Sequence, residues 1–267
     1  MKILITGSSG FVGKHLVSLL SKNHKIIQFD LINGLNILNE GTLMSKMKNV
    51  DTVINLAAYI SASESWEKPR EYFENNSIGT LCVVRCAINA KVKNFIHFSS
   101  AAVKARPLTP YALSKKMSEQ ILELYKDKIN IILVRPENIY GNGQKASYGY
   151  VIHSFIKAVQ NNQAIKIFGD GKQIRDFIFV EDVVRVIEKI INKNIYNKTI
   201  NLGNGKGINI LDLARLISKL FGKKLRIEYL EKRVEPRKSI ANIATLKNIG
   251  IDTKKFINLR SGIRKLN

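Results

Sequence analysis

The sequence predicts an α/β fold, in which a doubly wound parallel sheet is joined to a smaller, discontinuous C-terminal domain. Short β-rich apolar segments alternate with segments of helical apolar spacing from the N-terminus to about residue 136. Short buried strands separated by helices are typical of a parallel sheet with helices on both faces. The chain has 267 residues, 45% of them hydrophobic, which is enough to bury a core and argues against disorder.

The elements follow in chain order. The predicted strands are KILIT from Lys2, KIIQFD to Asp30, Leu35–Leu38, DTVINLAA, NFIHFSS, INIILVRP, FIFV and Leu225–Tyr229. The predicted helices are Phe11–Leu20, Thr42–Met47, Glu71–Asn89, Tyr111 to about Tyr125, Val151–Gln160, one from Glu181, Ile210–Leu220 and Leu259–Leu266. IYGNGQKASYGY and FGDGKQIRDF are predicted as turn-rich loops. We therefore expect a nucleotide-binding domain over residues 1–140, joined by about 176–203, and a second domain over 141–175 and 204–267.

Composition excludes several classes of protein. No apolar run reaches the roughly 18 residues that cross a bilayer, and the N-terminus does not have the pattern of a signal peptide. Cys82 and Cys86, the two cysteines, are expected to be core thiols in a reducing cytoplasm, without disulfide or metal. The net charge is +22, but the lysines are scattered without arginine-rich tracts. A generally cationic surface is therefore favoured over a nucleic-acid groove.

Three glycines between the first strand and the first helix form G-x-x-G-x-x-G at Gly7, Gly10 and Gly13. Glycines there allow a tight turn and close approach of a pyrophosphate to the N-terminus of the helix. Asp30 ends the second strand, where a carboxylate accepts hydrogen bonds from ribose hydroxyls and repels a 2′-phosphate. This Rossmann-type pattern predicts NAD rather than NADP as the cofactor. The alternative is a plain glycine turn with Asp30 as a capping residue.

Tyr111 and Lys115 lie four residues apart at the start of a predicted helix and so share one face. An ammonium near a phenol lowers its pKa, typically by about 1–3 units, and favours a catalytic base. Ser99 and Ser100 end the preceding strand at the sheet edge where ligands bind in such folds. We expect Ser100 to hydrogen-bond the same substrate oxygen as Tyr111.

A set of motifs in one order carries a resemblance to a known family. The motifs are TGSSGFVG, Asp30, DTVINLAA, NNSIGT, NFIHFSSAAV, PYALSK, VRPENIYG and RDFIFVEDV. Together they resemble the extended short-chain dehydrogenase/reductase family, in particular NAD-dependent nucleotide-sugar epimerases and dehydratases of the UDP-glucose/UDP-galactose 4-epimerase type. The resemblance implies Ser100, Tyr111 and Lys115 as the catalytic set. It implies contacts to the cofactor from Gly7, Gly10, Phe11, Val12, Gly13, Asp30, Asn36, Ile37, Leu56, Ala57, Ala58, Asn76, Tyr111 and Lys115.

The resemblance also implies a set of substrate-binding residues. They are Ser100, Asn138, Phe168 near the nucleotide base, Arg175 as a diphosphate clamp, and Arg233 or Arg237 as a second phosphate-binding arginine. The chain departs from the family pattern in four places. Lys104 stands where the family has a tyrosine, Asn36 replaces an aspartate near the adenine, the stretch from Ser100 to Tyr111 is short, and the C-terminal region is compact.

The favoured activity is that of an NAD-dependent nucleotide-sugar 4-epimerase acting through a transient 4-keto sugar. The alternative enzyme is an NAD(P)H-dependent 4-ketosugar reductase. An alternative from another class is a catalytically idle RNA-binding member of the family. The expected partner is a nucleotide-diphosphate sugar, with neither membrane nor nucleic acid, and the oligomeric state is left open with a homodimer as one option. The expected location is the cytoplasm.

Two further residue sets limit the chemistry. Ala101 and Ala102 follow Ser100, where related dehydratases carry an Asp-Glu pair, so a 4,6-dehydratase is not expected. Glu64 and Glu137 are the nearest alternative acids in the sequence. The four histidines, His15, His24, His97 and His153, form no triad or metal spacing, and His97 is expected to be a packed residue of its apolar strand.

Overall fold

The structure, a computed structural model, describes residues 1–144, 150–233 and 235–266. The chain divides into two units. Unit 1 comprises Met1–Lys104, Leu108–Pro136 and Val184–Ile200, and unit 2 comprises Ala105–Pro107, Glu137–Val183 and Asn201–Asn267. Residues 145–149 of the predicted turn-rich segment IYGNGQKASYGY lie outside the described residues. No helix in the described ranges is both long and apolar enough to cross a membrane.

Strands and helices alternate along much of the chain. The strands are β1 (Lys2–Thr6), β2 (Lys25–Phe29), β3 (Thr52–Asn55), β4 (Asn94–Phe98), β5 (Asn130–Pro136), β6 (Asn138–Tyr140), β7 (Ile165–Phe168), β8 (Ile174–Phe179), β9 (Lys198–Leu202), β10 (Gly207–Asn209), β11 (Ile227–Leu230) and β12 (Lys238–Ser239). The helices are α1 (Phe11–Leu20), α2 (Glu40–Lys46), α3 (Glu64–Glu67), α4 (Pro69–Tyr72), α5 (Gly79–Asn89), α6 (Pro110–Glu123), α7 (Val151–Gln160), α8 (Val180–Asn192), α9 (Ile210–Leu220), α10 (Ala244–Asn248) and α11 (Leu259–Arg264).

A six-stranded sheet in the order β2-β1-β3-β4-β5-β9 forms the centre of unit 1. The pairs β1–β2, β1–β3, β3–β4 and β4–β5 are all parallel, which confirms the predicted fold class. The direction of the strand order reverses between β1 and β3, since β2 lies on one side of β1 and β3 on the other. In open α/β sheets, ligands bind beyond the carboxyl ends of the strands at such a reversal.

Each unit has its own hydrophobic core. In unit 1, Val53 and Phe95 on the strands pack with Val83 and Val84 on α5, and all four side chains are fully buried. The strand residues are apolar because helices cover both faces of a parallel sheet and exclude water from them. The core of unit 2 includes Tyr140, whose ring makes edge contacts with Phe177 and Phe179.

Unit 2 is built on β8, which pairs with three other strands. β10 runs antiparallel to β8, whereas β6 and β12 run parallel to it. β7 and β11 form a separate parallel pair. The pairing of β6 with β8 explains why residues 137–140 and 176–183 belong to unit 2, although we assigned 1–140 and about 176–203 to the nucleotide-binding domain.

The two segments predicted as turn-rich loops overlap strands, since Ile139 and Tyr140 belong to β6 and residues 174–177 to β8. A predicted strand and a predicted helix also differ from the structure. The predicted strand Leu35–Leu38 is wrong: a 3-10 turn covers Leu31–Asn33, and the Asn36 side-chain oxygen accepts from the Leu38 N–H at 2.9 Å. Such a local side-chain bond competes with strand pairing. The predicted helix Glu71–Asn89 is instead α4 and α5 joined by a π-helical segment over Phe73–Ile78, which contains the NNSI of the NNSIGT motif.

Candidate active site

The glycine turn of unit 1 lies between β1 and α1, at the reversal of the strand order. Gly7 has a φ of +67°, and a Cβ there would lie 2.8 Å from the Ala57 nitrogen. A Cβ at Gly13 would lie 2.2 Å from the Gly7 carbonyl oxygen. Both positions therefore exclude any side chain, and the backbone of the turn stays close to the end of β3.

The same turn has the features of a pyrophosphate site. Gly10 is the N-cap residue of α1, and no side chain caps the first-turn N–H groups, which carry the positive end of the helix dipole. The Ser8 hydroxyl is buried and has no hydrogen-bond partner among the described residues. Asp30 directly follows β2, and its carboxylate accepts from the Ser9 N–H at 2.8 Å and the Ile32 N–H at 3.1 Å. The uncapped amides and the glycine cradle fit NAD, while Asp30 is at the same time a capping residue.

The remaining residues that the resemblance assigned to the cofactor belong to unit 1. Leu56, Ala57 and Ala58 follow β3 directly and are half-buried, and the Leu56 and Ala57 N–H groups both donate to the Thr6 hydroxyl at 3.2 Å. Asn36 is exposed, whereas Ile37 is buried and packs over Gly79. Phe11 and Val12 form the first turn of α1. As contacts of NAD these residues stay predictions.

Asn76 has a role that the sequence did not indicate. It is fully buried in the π-helical segment, and its amide nitrogen donates to the Tyr59 carbonyl at 2.9 Å and to the Ser114 hydroxyl at 3.0 Å. Its oxygen accepts from the Tyr59 N–H at 2.9 Å and the Asn75 amide at 3.0 Å. Because these four bonds use the whole amide, Asn76 fixes the loop after β3 to α6.

Local sequence explains where the predicted catalytic helix begins. Thr109 is the N-cap of α6 and accepts from the Ala112 N–H at 3.1 Å, and Pro110 takes the first helical position. Tyr111 therefore lies in the first turn of α6, where its ring makes an edge contact with Tyr72 at 6.4 Å. Ser100 follows Ser99 at the carboxyl end of β4, and its hydroxyl is near enough to Tyr111 to lower the pKa of that phenol.

The electrostatics of the pair differ from expectation. The Lys115 ammonium is buried and donates to the Phe98 carbonyl, and burial lowers its pKa to about 8, an effect that Glu119 partly opposes. Burial raises the pKa of Tyr111, and the smaller effect of the neighbouring Ser100 hydroxyl lowers it. The predicted lowering of the Tyr111 pKa by Lys115 is therefore wrong for the chain alone, because desolvation dominates and the ammonium bonds a carbonyl.

A group of buried polar side chains between the glycine turn and α6 was missed at the level of sequence. Thr6, Asn55, His97 and Ser118 are each at most 1% exposed, and hydrogen bonds connect them in a continuous series. The only signal available in the sequence was the polar residues within the otherwise apolar strands TVIN and NFIHF.

In unit 2, Asn138 begins β6 and uses its side-chain amide to tie two strands together. The amide nitrogen donates to the Asp176 carbonyl at 2.9 Å. The Asp176 carboxylate is fully buried and accepts N–H groups of Asn204, Gly205 and Ala241. Asn138 as a substrate contact stays a prediction, since this bond alone explains an asparagine there.

The aromatic and arginine residues assigned to the nucleotide lie together in unit 2. The Arg233 guanidinium stacks over the Phe168 ring at 3.3 Å from its centroid. Arg175, on β8, pairs with Glu235, and Arg237 donates to both carboxylate oxygens of Asp170 at 3.0 and 3.1 Å. The parallel pairing of β11 with β7 and of β12 with β8 explains this arrangement, since residues 231–237 connect β11 to β12.

Glu235 is the residue of this group that the sequence did not indicate. It accepts from Arg175 and also from the Gln173 side chain, at 3.2 Å. A cavity of about 310 Å³ elsewhere in unit 2 is lined by none of the predicted residues and includes Phe177, Asn204, Lys206 and Lys254. The residues predicted to be catalytic or to bind ligands therefore lie outside the lining of this cavity.

A parallel sheet with a glycine cradle at its reversal point, next to a Tyr-x-x-x-Lys helix, defines the class of NAD-linked oxidoreductase-type enzymes. The comparison with family models makes this specific. The chain belongs to the NAD dependent epimerase/dehydratase family, whose model matches residues 3–203. The predicted family resemblance, the enzyme class and NAD as the cofactor are thereby confirmed.

Known proteins similar to this chain include relatives of known structure. UDP-glucose 4-epimerase from Thermotoga maritima, solved with UDP-glucose, is 27% identical with a TM-score of 0.90, over 99% of this chain and 97% of that one. UDP-glucuronic acid 4-epimerase from Bacillus cereus, solved with UDP-glucuronic acid and NAD, is 27% identical with a TM-score of 0.87 over the same shares. A putative UDP-glucose 4-epimerase of Methanocaldococcus jannaschii is 29% identical over 99% of this chain and 96% of the relative.

Proposed function

We propose that this protein is an NAD-dependent nucleotide-sugar 4-epimerase that acts through a transient 4-keto sugar. The observation that carries the proposal is the placement of Ser100, Tyr111 and Lys115 around the carboxyl end of β4, in the unit that also holds the glycine cradle. The 4-epimerase activities of the similar proteins support it. A 4-ketosugar reductase is the less favoured alternative, because these similar proteins are named as 4-epimerases.

The three residues have distinct roles in this proposal. Tyr111 removes the proton of the 4-hydroxyl and later returns it, and the Ser100 hydroxyl holds the same oxygen in place. In the chain alone the buried Lys115 ammonium is held by the Phe98 carbonyl, and in this proposal it supplies, one helical turn from Tyr111, the positive charge that supports the phenolate once NAD is bound. When NAD is bound in its oxidised form, it supplies the hydride acceptor for C4 and a positive ring that favours the phenolate of Tyr111.

The substrate residues are proposed to lie in unit 2. An arginine fork suits the oxygens of a diphosphate, and Arg175, Arg233 and Arg237 belong to the same part of unit 2 as Phe168. In this proposal a diphosphate takes the place of Glu235 on Arg175. We accordingly propose unit 1 as the NAD-binding domain and unit 2 as the substrate-binding domain.

The activity is tested by incubating the protein with UDP-glucose, UDP-N-acetylglucosamine, UDP-glucuronic acid, and dTDP- and GDP-sugars, and identifying products by NMR. We expect inversion at C4 without added NADH, and a deuterium label at C4 kept in the product. Net consumption of NADH with a 4-keto substrate would instead identify a reductase. Tyr111→Phe, which keeps the ring, should abolish turnover, whereas the control Tyr125→Phe should not.

We also propose that the protein is a homodimer in a reducing, cytoplasmic setting. Leu113, Met117 and Leu124 share one face of the α6 region and are each at least 37% exposed, and a second copy is the occupant we propose for this apolar stripe. The free thiols Cys82 and Cys86 are compatible with that setting. Light scattering after gel filtration should give twice the chain mass, and Leu113→Glu should give a monomer.

A further inference from the structure

His97 lies on β4, one of the two central strands of the unit 1 sheet, and uses both ring nitrogens. It is 1% exposed, and its Nδ1 lies 3.2 Å from the Asn55 amide nitrogen while its Nε2 lies 2.9 Å from the Ser118 hydroxyl. A buried neutral imidazole has one donor and one acceptor nitrogen, and both are partnered here. The direction of each hydrogen bond can be worked out from both ends of the series.

The first end is Thr6, which precedes the glycine turn. Its hydroxyl oxygen accepts the Leu56 and Ala57 N–H groups at 3.2 Å, so its own proton goes to the Asn55 oxygen at 2.6 Å. This fixes the orientation of the Asn55 amide. The amide nitrogen then faces Thr80 and His97, and His97 Nδ1 must accept.

The second end is Ser118, on α6. The Ser118 hydroxyl donates its single proton to the Lys115 carbonyl at 2.7 Å. It can therefore only accept from His97, so Nε2 carries the proton. Both ends of the series, on different elements, thus require the same neutral tautomer. A charged ring would leave two donors facing each other at Nδ1, and burial and Lys115 lower the pKa of His97 well below its usual value.

We propose that His97 is a positioning residue: in its neutral Nε2–H tautomer, it fixes the helix turn that carries Lys115 to the strand ends beside the glycine turn. The series runs from the Leu56 and Ala57 N–H groups through Thr6, Asn55, His97 and Ser118 to the Lys115 carbonyl. Each member accepts a hydrogen bond from the preceding group and donates one to the next, so all the bonds run in the same direction along the series.

The consequence concerns the distance between cofactor and catalytic helix. β1, β3 and β4 are held together by backbone hydrogen bonds, but α6 is joined to them by side chains. Through Ser118, His97 also holds the backbone of Lys115, whose ammonium donates to the Phe98 carbonyl. Fully satisfied buried networks of this kind favour one geometry, whereas partly satisfied ones do not. This inference rests on the proposed function for its catalytic meaning.

The first experiment needs no activity. Long-range ¹H–¹⁵N NMR of the histidine-labelled protein distinguishes the two neutral tautomers and the charged ring, and His97→Gln assigns the signal. We expect a protonated Nε2 and a bare Nδ1 from pH 6 to pH 9. A protonated Nδ1, or a ring charged at pH 7, would overturn the assignment.

The second experiment separates positioning from packing. His97→Phe keeps a ring but removes both bonds, and His97→Gln retains one side-chain amide that can donate to Ser118. We expect His97→Phe to lower kcat on the order of tenfold with KM for the nucleotide sugar within about twofold, and His97→Gln to restore most of kcat. The control Ile96→Ala, on the opposite face of β4, should lower the melting temperature but not kcat.

A third measurement distinguishes failure of this inference from failure of the proposed function. The pKa of Lys115, about 8 in the structure, is followed by NMR of ¹³Cε-labelled lysine. His97→Phe should raise that pKa toward its ordinary value, because a loosened ammonium regains water, and Ile96→Ala should not. An unchanged Lys115 titration together with unchanged kcat in His97→Phe contradicts the inference. A wild-type protein inactive on every nucleotide sugar contradicts only the proposed function.

Discussion

At the residue scale, Lys115 illustrates how burial and catalysis oppose each other. The ammonium is 2% exposed, has a carbonyl partner, and has its pKa lowered to about 8 by burial. Keeping a charge there reduces the stability of the fold, as is common at sites that need a group in an unfavourable protonation state. The effect of this lysine on stability and its effect on catalysis can be separated with one variant.

Lys115→Met should lose activity, and its melting temperature should depend on pH differently from that of wild type. We expect kcat to fall by roughly a hundredfold to ten-thousandfold, because the positive charge one helical turn from Tyr111 is gone. Between pH 8 and 10.5 the unfolded wild-type lysine binds a proton that the folded one does not, so wild-type stability rises with pH through this window. The melting temperature of Lys115→Met relative to wild type should therefore be higher at pH 7 than at pH 10.

The control for this variant is the neighbouring Lys116→Met, which removes a charge from a half-exposed side chain. It should leave both kcat and the pH dependence of the melting temperature unchanged. A full rate in Lys115→Met would remove this lysine from the catalytic set.

Asp30 is the residue that we expect to decide the choice of cofactor. Wild type should bind NAD(H) much more tightly than NADP(H), and Asp30→Ala should narrow the difference, because the carboxylate no longer repels a 2′-phosphate. The carboxylate also accepts the Ser9 and Ile32 N–H groups, so Asp30→Asn is the matched control that loses the charge but keeps an acceptor. Fluorescence titration measures both cofactors. Equal binding of both by wild type would show that the carboxylate does not face the ribose.

At the scale of elements, the glycine turn depends on close approach of two backbone segments. Gly13, in the first turn of α1, leaves no space for a Cβ, since the Gly7 oxygen would lie 2.2 Å away. Gly41, in α2, has an ordinary φ and only one atom at 3.5 Å, from the Asn39 side chain. These two helical glycines provide a matched pair.

Gly13→Ala should weaken NAD binding and lower the melting temperature, because α1 must move away from the turn. Gly41→Ala should raise stability by up to about 1 kcal/mol, since alanine is the better helix former. Thermal denaturation with and without NAD measures both effects. Unaltered NAD affinity in Gly13→Ala would mean that α1 does not form the pyrophosphate site.

In unit 2, the strand β8 carries Arg175, whose charge is paired with Glu235. Arg175→Ala should weaken UDP binding at least tenfold and leave NAD binding unchanged, because a bidentate donor is lost. Glu235→Gln should strengthen UDP binding, since the competing carboxylate charge is removed. Calorimetry tests both, with the exposed Arg226→Ala as control. Equal UDP affinity in wild type and Arg175→Ala would exclude Arg175 from the site.

At the scale of the whole molecule, the net charge of +22 attracts anions without selecting among them. The idle, RNA-binding alternative and the enzyme can be separated by titration over a salt series. RNA binding carried by phosphate contacts should collapse steeply with salt, whereas NAD binding should change little.

The arrangement of acids in the whole chain argues against a 4,6-dehydratase. Ala101 and Ala102 form the 3-10 turn after Ser100 and cannot transfer protons. Glu64 accepts from Lys68 and Tyr72, and Glu137 accepts from Ser239 at 2.6 Å. We expect no 4-keto-6-deoxy product from UDP-glucose or dTDP-glucose, measured by absorbance in alkali. A robust signal would require another acid–base pair in the protein.

Features that depend on local sequence pattern could be predicted without the structure. Helical and strand periodicity predicted the parallel sheet, and spacing alone located the glycine turn, Asp30 and the Tyr111–Lys115 pair. Helices Phe11–Leu20, Val151–Gln160 and Ile210–Leu220 match their predicted bounds, because each has a strong apolar face. The strand Leu35–Leu38 was wrong, because a side-chain bond within the same segment overrides the pattern.

Contacts between side chains that are distant in the sequence could be identified only from the folded chain. His97 bonds Asn55 across 42 residues and Ser118 across 21, and Arg175 pairs with Glu235 across 60. Such pairs depend on which strands are neighbours in the sheet and on which face of the sheet each residue lies. No fixed spacing of residues along the sequence specifies either of these. The same reason explains the pKa of Tyr111: its sequence neighbours predict a lowering by Lys115, but the desolvation that raises it comes from the whole packed unit.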